Sequence, residues 1–205
     1  MSERGELVTI ARSLYSRGYT YGTAGNISVR IGDRIVISPT SSSFGDLSRD
    51  GLAEVALDGA SLAGPRPSKE VPFHLAAYRA RPDAGAVVHL HSCYATALSC
   101  LEDLNTGDAM PVYTPYFAMR VPCLPVVDYA PPGDAALGPA VEAAAAMSPA
   151  LLLRNHGSIA IGRTLKEAAA LSEEIEEQAR LYFLLGSRGR VLTPLQLAEL
   201  RRRLQ

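Results

Sequence analysis

A chain of 205 residues is long enough for one domain with a substantial core and short for two. Its 47% hydrophobic and 20% charged residues are ordinary for a globular protein, no apolar run reaches membrane-spanning length, and a net charge of -1 offers no general field for nucleic acid. The charged start Met1-Ser2-Glu3-Arg4-Gly5-Glu6 lacks the apolar core of a secretory signal, and Cys93, Cys100 and Cys123 have no paired spacing; buried thiols and a cytoplasmic location are expected.

Leu7, Ile10, Ala11 and Leu14 recur at helical spacing within residues 3–17, and Gly18 stops that helix. Asn26 to Arg30 and Arg34 to Ser38 read as short strands joined through Gly32-Asp33, a pair suited to a hairpin. Ser68 is placed to cap a helix running through His74 to Arg81, with Pro72 in its first turn. Ala84 to His91 is a buried-strand run, and Ser92 to Leu101 a helix. Residues 102–132 are rich in Pro, Tyr and Asp, with one strand expected at Cys123 to Val127. An Ala-rich helix follows from Gly133 to Met147. Ala150 to Arg154 and Ser158 to Ile161 form two strands around the polar turn Asn155-His156-Gly157. Thr164 and Glu167 open a long helix ending near Gly186, and Thr193-Pro194 with Gln196 opens the last one. The basic cluster Arg201-Arg202-Arg203 ends that helix and reads as solvated charge rather than an RNA-binding tail. Irregular alternation of helices and strands, with hairpins at both ends of the sheet region, points to a mixed or antiparallel layered α/β domain. There is no dinucleotide fingerprint, P-loop or internal repeat.

Side chains two apart on a strand share a face, so His89 and His91 point both imidazoles at one place. His156 lies in a turn at another strand end, and Glu70 in the first turn of a helix. Three neutral imidazoles and a carboxylate suit zinc or a similar divalent ion. His74 reads as a structural neighbour of that group. Three polar segments, Gly22 to Asn26, Ser38 to Ser43 and Ser68-Lys69, present hydroxyls and backbone donors of the kind that cradle an anion such as phosphate; each alone is more often a turn or cap. Glu173, Glu174, Glu176 and Glu177 lie opposite the stripe Leu171, Ile175 and Ala179, and are expected to form a solvated face.

With Gly25-Asn26-Ile27-Ser28, Ser38-Pro39-Thr40, Pro67-Ser68-Lys69-Glu70, His89-Leu90-His91-Ser92 and Asn155-His156-Gly157 in this order, the sequence resembles the class II aldolase and adducin head-domain superfamily over about residues 7–185. The resemblance implies a single three-layer α/β/α domain with a central mixed, largely antiparallel sheet. It also implies a homotetramer with active sites at subunit interfaces. One divalent ion per subunit is expected at His89, His91 and His156, zinc first and manganese or cobalt as alternatives. Glu70 would carry a proton and ligate the metal when substrate is absent. Phosphate contacts map to Thr23, Asn26, Thr40, Ser41, Ser68 and Lys69, and Tyr113 and Tyr116 are candidates for an acid reaching a neighbouring subunit's site. Residues 67–72, 78–92 and 115–120 look most like 3-oxo-tetronate 4-phosphate decarboxylases, which would release CO2 from a small phosphorylated sugar acid through an enediolate. The alternatives are a fuculose-1-phosphate-type aldolase, a pentulose-5-phosphate 4-epimerase, and a non-enzymatic scaffold of the adducin type. Aldolases and epimerases more often carry a second serine where this chain has Lys69.

Overall fold

The computed structural model describes residues 2–202. An eight-stranded sheet runs in the order β4-β3-β2-β1-β5-β8-β7-β6. Its strands are β1 (Asn26–Ile31), β2 (Arg34–Ile37), β3 (Ala53–Ala56), β4 (Ser61–Ala63), β5 (Ala86–Leu90), β6 (Val126–Val127), β7 (Ala150–Leu153) and β8 (Gly157–Gly162). All neighbours pair antiparallel except β6 and β7, which are parallel. The helices are α1 (Glu3–Ser16), α2 (Val71–Ala80), α3 (Cys93–Ser99), α4 (Pro115–Arg120), α5 (Leu137–Met147), α6 (Leu165–Leu185) and α7 (Pro194–Arg202). Arg203 of the basic cluster lies outside the described residues. No helix among them is long and apolar enough to cross a membrane.

The helices form a layer on each face, giving the expected three-layer α/β/α fold. On one face Ile35, Val55, Val87, Leu151 and Ile159 pack under α2 and α5. On the other, Ile27, Val29, Ala86, Val88 and Leu90 meet α1 and the first turns of α6. A third cluster holds α3, α4 and the middle of α6 over Leu152 and Ala160. The central β5 is buried along its whole length because both its faces are covered. Val87 faces α2, so by the period of two His89 also faces α2, and its ring lies edge-on to Phe73 of that helix.

Several local expectations shift. α2 starts at Val71 with Glu70 as its N-cap, and the Glu70 side chain makes no cap bond. The Ser68 hydroxyl instead accepts from the Glu70 N–H at 3.2 Å, leaving the Glu70 carboxylate free to turn inward. The Ala-rich helix begins at Leu137 rather than Gly133, because Pro131 to Asp134 is a turn with Gly133 at φ 87° and Asp134 accepting from Ala136 N–H. The strand expected at Cys123 to Val127 shrinks to Val126–Val127. The preceding irregular stretch contains α4, opened by Pro115 and capped by Thr114, whose hydroxyl accepts from Phe117 N–H. Cys93, the first residue of α3, and Cys100, its C-cap, are exposed and Cys123 is half-buried, so the thiols are not buried as expected.

Candidate active site

β5 delivers His89 as its penultimate residue and His91 just beyond its end, while the three-residue turn from β7 to β8 delivers His156 beside them. Two glycines make this convergence possible. At Gly25, φ is 80° and an added Cβ would sit 2.6 Å from the His89 carbonyl oxygen; at Gly157 it would sit 2.3 Å from that of Leu90. Backbone therefore runs close on both sides of the two strand histidines. Asn155 takes the left-handed conformation at φ 55° that turns His156 inward.

The three imidazoles form a propeller, with ring centroids 4.7 to 4.8 Å apart and interplanar angles of 71 to 73°. Their potential ligand atoms lie within 4.8 Å of one another, and the Nε2 atoms of His89 and His91 are 2.9 Å apart. His89 Nδ1–H donates to the Ser158 carbonyl at 2.9 Å, so the neutral ring keeps its lone pair on Nε2, aimed at the other two. Burial is the main force against protonation of all three. It pushes His89 well below the ordinary imidazole range, with its histidine neighbours adding to the effect, and lowers His91 to about 4. His156 is also lowered, although Glu70 opposes the shift, and the nearby Lys69 ammonium adds to the lowering of both His91 and His156. Neutral imidazoles are the form that binds a metal ion.

The Glu70 carboxylate completes the cluster, with Oε1 3.3 Å from His156 Nε2 and Oε2 3.5 Å from His89 Nε2. Asn26 Nδ2–H donates to Glu70 Oε2 at 2.7 Å, whereas the buried Oε1 has no hydrogen-bond partner. A buried carboxylate oxygen without a partner, facing nitrogen lone pairs, is the donor set a divalent cation satisfies. The residues present fit such an ion.

His74 does not join the cluster. It is fully buried, lowered to about 3 by desolvation, and lies in a chain whose directions Asn26 fixes. Because Asn26 turns its amide N–H to Glu70, its Oδ1 must accept from His74 Nε2–H. His74 Nδ1 then accepts from the Ser28 hydroxyl at 2.8 Å, which accepts from Tyr78 at 2.9 Å. Four side chains thereby hold one carboxylate in place.

The three polar segments meet. Ser38 N–H donates to the Ile27 carbonyl and Ser38 Oγ accepts from Ile27 N–H, while Ser68 N–H donates to the Ser38 carbonyl and Pro39 bridges Pro67. Thr23, Ser41 and Lys69 are exposed on these segments, Thr40 is half-buried, and Ser68 is buried beneath them. Asn26 gives one of its two Nδ2–H donors to Glu70 and accepts from His74 at Oδ1, so it serves the carboxylate and keeps a second donor besides. Tyr113 packs close to Gly189, and Tyr116 is 64% exposed on α4. Among the described residues no hydrogen bond or ring contact joins either tyrosine to the histidines. A cavity of about 470 Å³ lined by Arg81, Arg120, Arg163 and Lys166 opens at the other end of β5 and β8 and includes none of the site residues.

One acidic residue was not legible as part of this region. Glu176 is buried, 8% exposed, although its neighbours Glu173, Glu174 and Glu177 lie in or near solvent. Its carboxylate accepts from Ser92 Oγ at 2.7 Å, Tyr94 N–H at 2.9 Å and Ala95 N–H at 2.8 Å. The expectation of a fully solvated acidic face fails here because the start of α3, immediately after His91, needs acceptors for its free N–H groups.

A largely antiparallel sheet between helical layers brings three neutral histidines at its strand ends against a glutamate at the start of α2, a cluster that could hold a metal ion. The chain belongs to the class II aldolase and adducin N-terminal domain family, which it matches over residues 5–183. It is 48% identical to a 3-oxo-tetronate 4-phosphate decarboxylase of Pectobacterium atrosepticum, over 96% of this chain and 91% of that one. It is 36% identical to an L-fuculose phosphate aldolase of Methanocaldococcus jannaschii, over 89% of this chain and 96% of that one. The solved structure of YgbL from Escherichia coli superposes with a TM-score of 0.94 at 46% identity, covering 97% of both chains.

Proposed function

We propose that this protein is a lyase that decarboxylates a 3-oxo-tetronate 4-phosphate to dihydroxyacetone phosphate and CO2, working as a single domain within a cytoplasmic homotetramer. The observation that carries the reading is the pairing of Lys69 with Glu70 beside the three histidines, in a chain whose relatives at 43 to 48% identity over almost their full length bear that name. Glu70 and the intact histidine cluster stand against a purely structural module, which has no need of them.

His89, His91 and His156 would hold the ion, with Glu70 as a further ligand while substrate is absent; zinc is the first expectation, and manganese or cobalt suit the same donors. A divalent ion bound there supplies Lewis-acid stabilisation of negative charge on substrate oxygens. The rest of the work falls to the chain. Loss of CO2 from a 3-oxo acid leaves an electron pair on the carbon next to the ketone. Glu70 carries a proton from solvent to that carbon, and Asn26, anchored through His74, Ser28 and Tyr78, keeps the carboxylate aimed. The polar segments around Thr23, Asn26, Thr40, Ser41 and Ser68 would take the phosphate, and Lys69, whose charge is felt by His91 and His156, would supply a cation to the substrate's carboxylate or phosphate.

The test is to supply ion-loaded protein with 3-oxo-tetronate 4-phosphates of both configurations. One CO2 and one dihydroxyacetone phosphate per substrate consumed is expected; no CO2 from either compound overturns the reading. The similarity to L-fuculose phosphate aldolases favours a second reading, retro-aldol cleavage of a ketose 1-phosphate. Faster release of dihydroxyacetone phosphate from fuculose 1-phosphate than from the oxo acid would select it.

A further inference from the structure

We propose that Glu176 is a positioning residue for the metal centre, acting through α3, which ties His91 to His156. The inference rests on the assignment of those histidines as metal ligands. Ser92 occupies the N-cap of α3, yet its hydroxyl makes no cap bond of its own and donates to Glu176 instead. Two N–H groups of its first turn, on Tyr94 and Ala95, are likewise taken by the Glu176 carboxylate, which comes from a helix more than 80 residues away in sequence. The backbone directly after His91 is thus clamped by three bonds to one side chain of α6.

The other end of α3 grips His156. The Ser99 carbonyl accepts from Asn155 N–H at 3.0 Å, and the Ser99 hydroxyl from His156 N–H at 3.3 Å. Just beyond, the Leu101 carbonyl accepts from Arg154 at 3.0 Å. A helix of seven residues therefore spans from one ligand to another, and its seat on α6 is set by Glu176. A neutral Ser or Asn cap would satisfy the same donors without burying a charge, and desolvating a carboxylate costs several kcal/mol unless its bonds are good. Three short bonds to a rigid helix end meet that condition and fix where the His91 imidazole stands relative to His156.

Cobalt(II) titration of the metal-free protein reads this directly, since its visible d–d bands report ligand geometry as well as occupancy. For Glu176→Ala we expect binding weaker by about tenfold or more, with shifted bands. Glu176→Gln keeps an acceptor for Ser92 and Ala95 but turns an N–H toward that of Tyr94, and should bind with intermediate affinity. A residue that only stabilised the fold would lower the melting temperature and leave the affinity and spectrum of the folded protein untouched; that result in both variants overturns the inference. If Glu176→Ala does not fold, Glu176→Gln decides, and wild-type affinity and bands in it overturn the inference. Wild-type protein that takes up no cobalt would instead refute the metal assignment itself.

Discussion

Replacing Asn26 by Ala removes one buried amide that serves two buried partners, and the cost follows from what each is left without. Asn26 is 5% exposed, Glu70 4%, and His74 fully buried. The change strands the Glu70 Oε2 atom, which now accepts at 2.7 Å, and the His74 Nε2–H. A buried polar group left unpaired costs about 1–3 kcal/mol, with more for a charged one, so the variant should be less stable by about 3–5 kcal/mol. Urea unfolding of the metal-free proteins at one fixed chain concentration measures this. A second arm isolates the histidine: combining Asn26→Ala with His74→Phe removes the stranded N–H, and the double variant should be about 1–2 kcal/mol more stable than the sum of the singles predicts. A loss below about 1 kcal/mol, or strict additivity, would refute the chain of donors drawn from Tyr78 to Glu70.

Burial holds His74 at about 3, whereas the unfolded chain protonates it near the ordinary imidazole value of 6.5. The unfolded state thus binds the extra proton, so stability is full above pH 6.5 and falls by about 1.4 kcal/mol per pH unit as pH drops toward 3; His91, lowered to about 4, adds to this in metal-free protein. Urea titrations between pH 7.5 and 5 should show the slope, and His74→Phe should reduce it. Gly25→Ala forces a side chain into a left-handed position 2.6 Å from the His89 carbonyl, and should cost at least about 2 kcal/mol and weaken metal binding, measured by unfolding and cobalt titration. Lys69→Ala alters an exposed residue and should change stability by less than about 0.5 kcal/mol. Loss of a charge-assisted bond to substrate should raise KM for the oxo acid by about 10- to 100-fold in steady-state assays.

The readable parts of the site were those set by local periodicity. His89 and His91 share a face because a strand alternates, and Asn155-His156-Gly157 announces a tight turn by composition. The long helices were placed by their caps: Thr164 accepts from Glu167 N–H, and Thr193 and Gln196 bond reciprocally. The Thr114-Pro115 start of α4 carried the same signal inside a stretch whose prolines hid it. β3 and β4 are four and three residues long and owe their pairing to the hairpins beside them, which no window of sequence contains. Glu176 was invisible for a different reason. Four glutamates near one another on a helix read as solvated charge, and only the packing of α3 against α6 supplies the donors that bury one of them. The Asn26 to Tyr78 chain is likewise a product of β1 lying against α2, two elements far apart in sequence.

Decarboxylation here requires an ion held by three histidines, and His89 is the most buried of them. Metal analysis and CO2 release should be measured side by side on untagged wild-type protein and on His89→Ala, with circular dichroism to show that the variant is folded. The wild type should carry about one divalent ion per chain and release CO2 from a 3-oxo-tetronate 4-phosphate, and the variant should do neither. A folded, metal-free His89→Ala that releases CO2 at the wild-type rate would contradict this requirement.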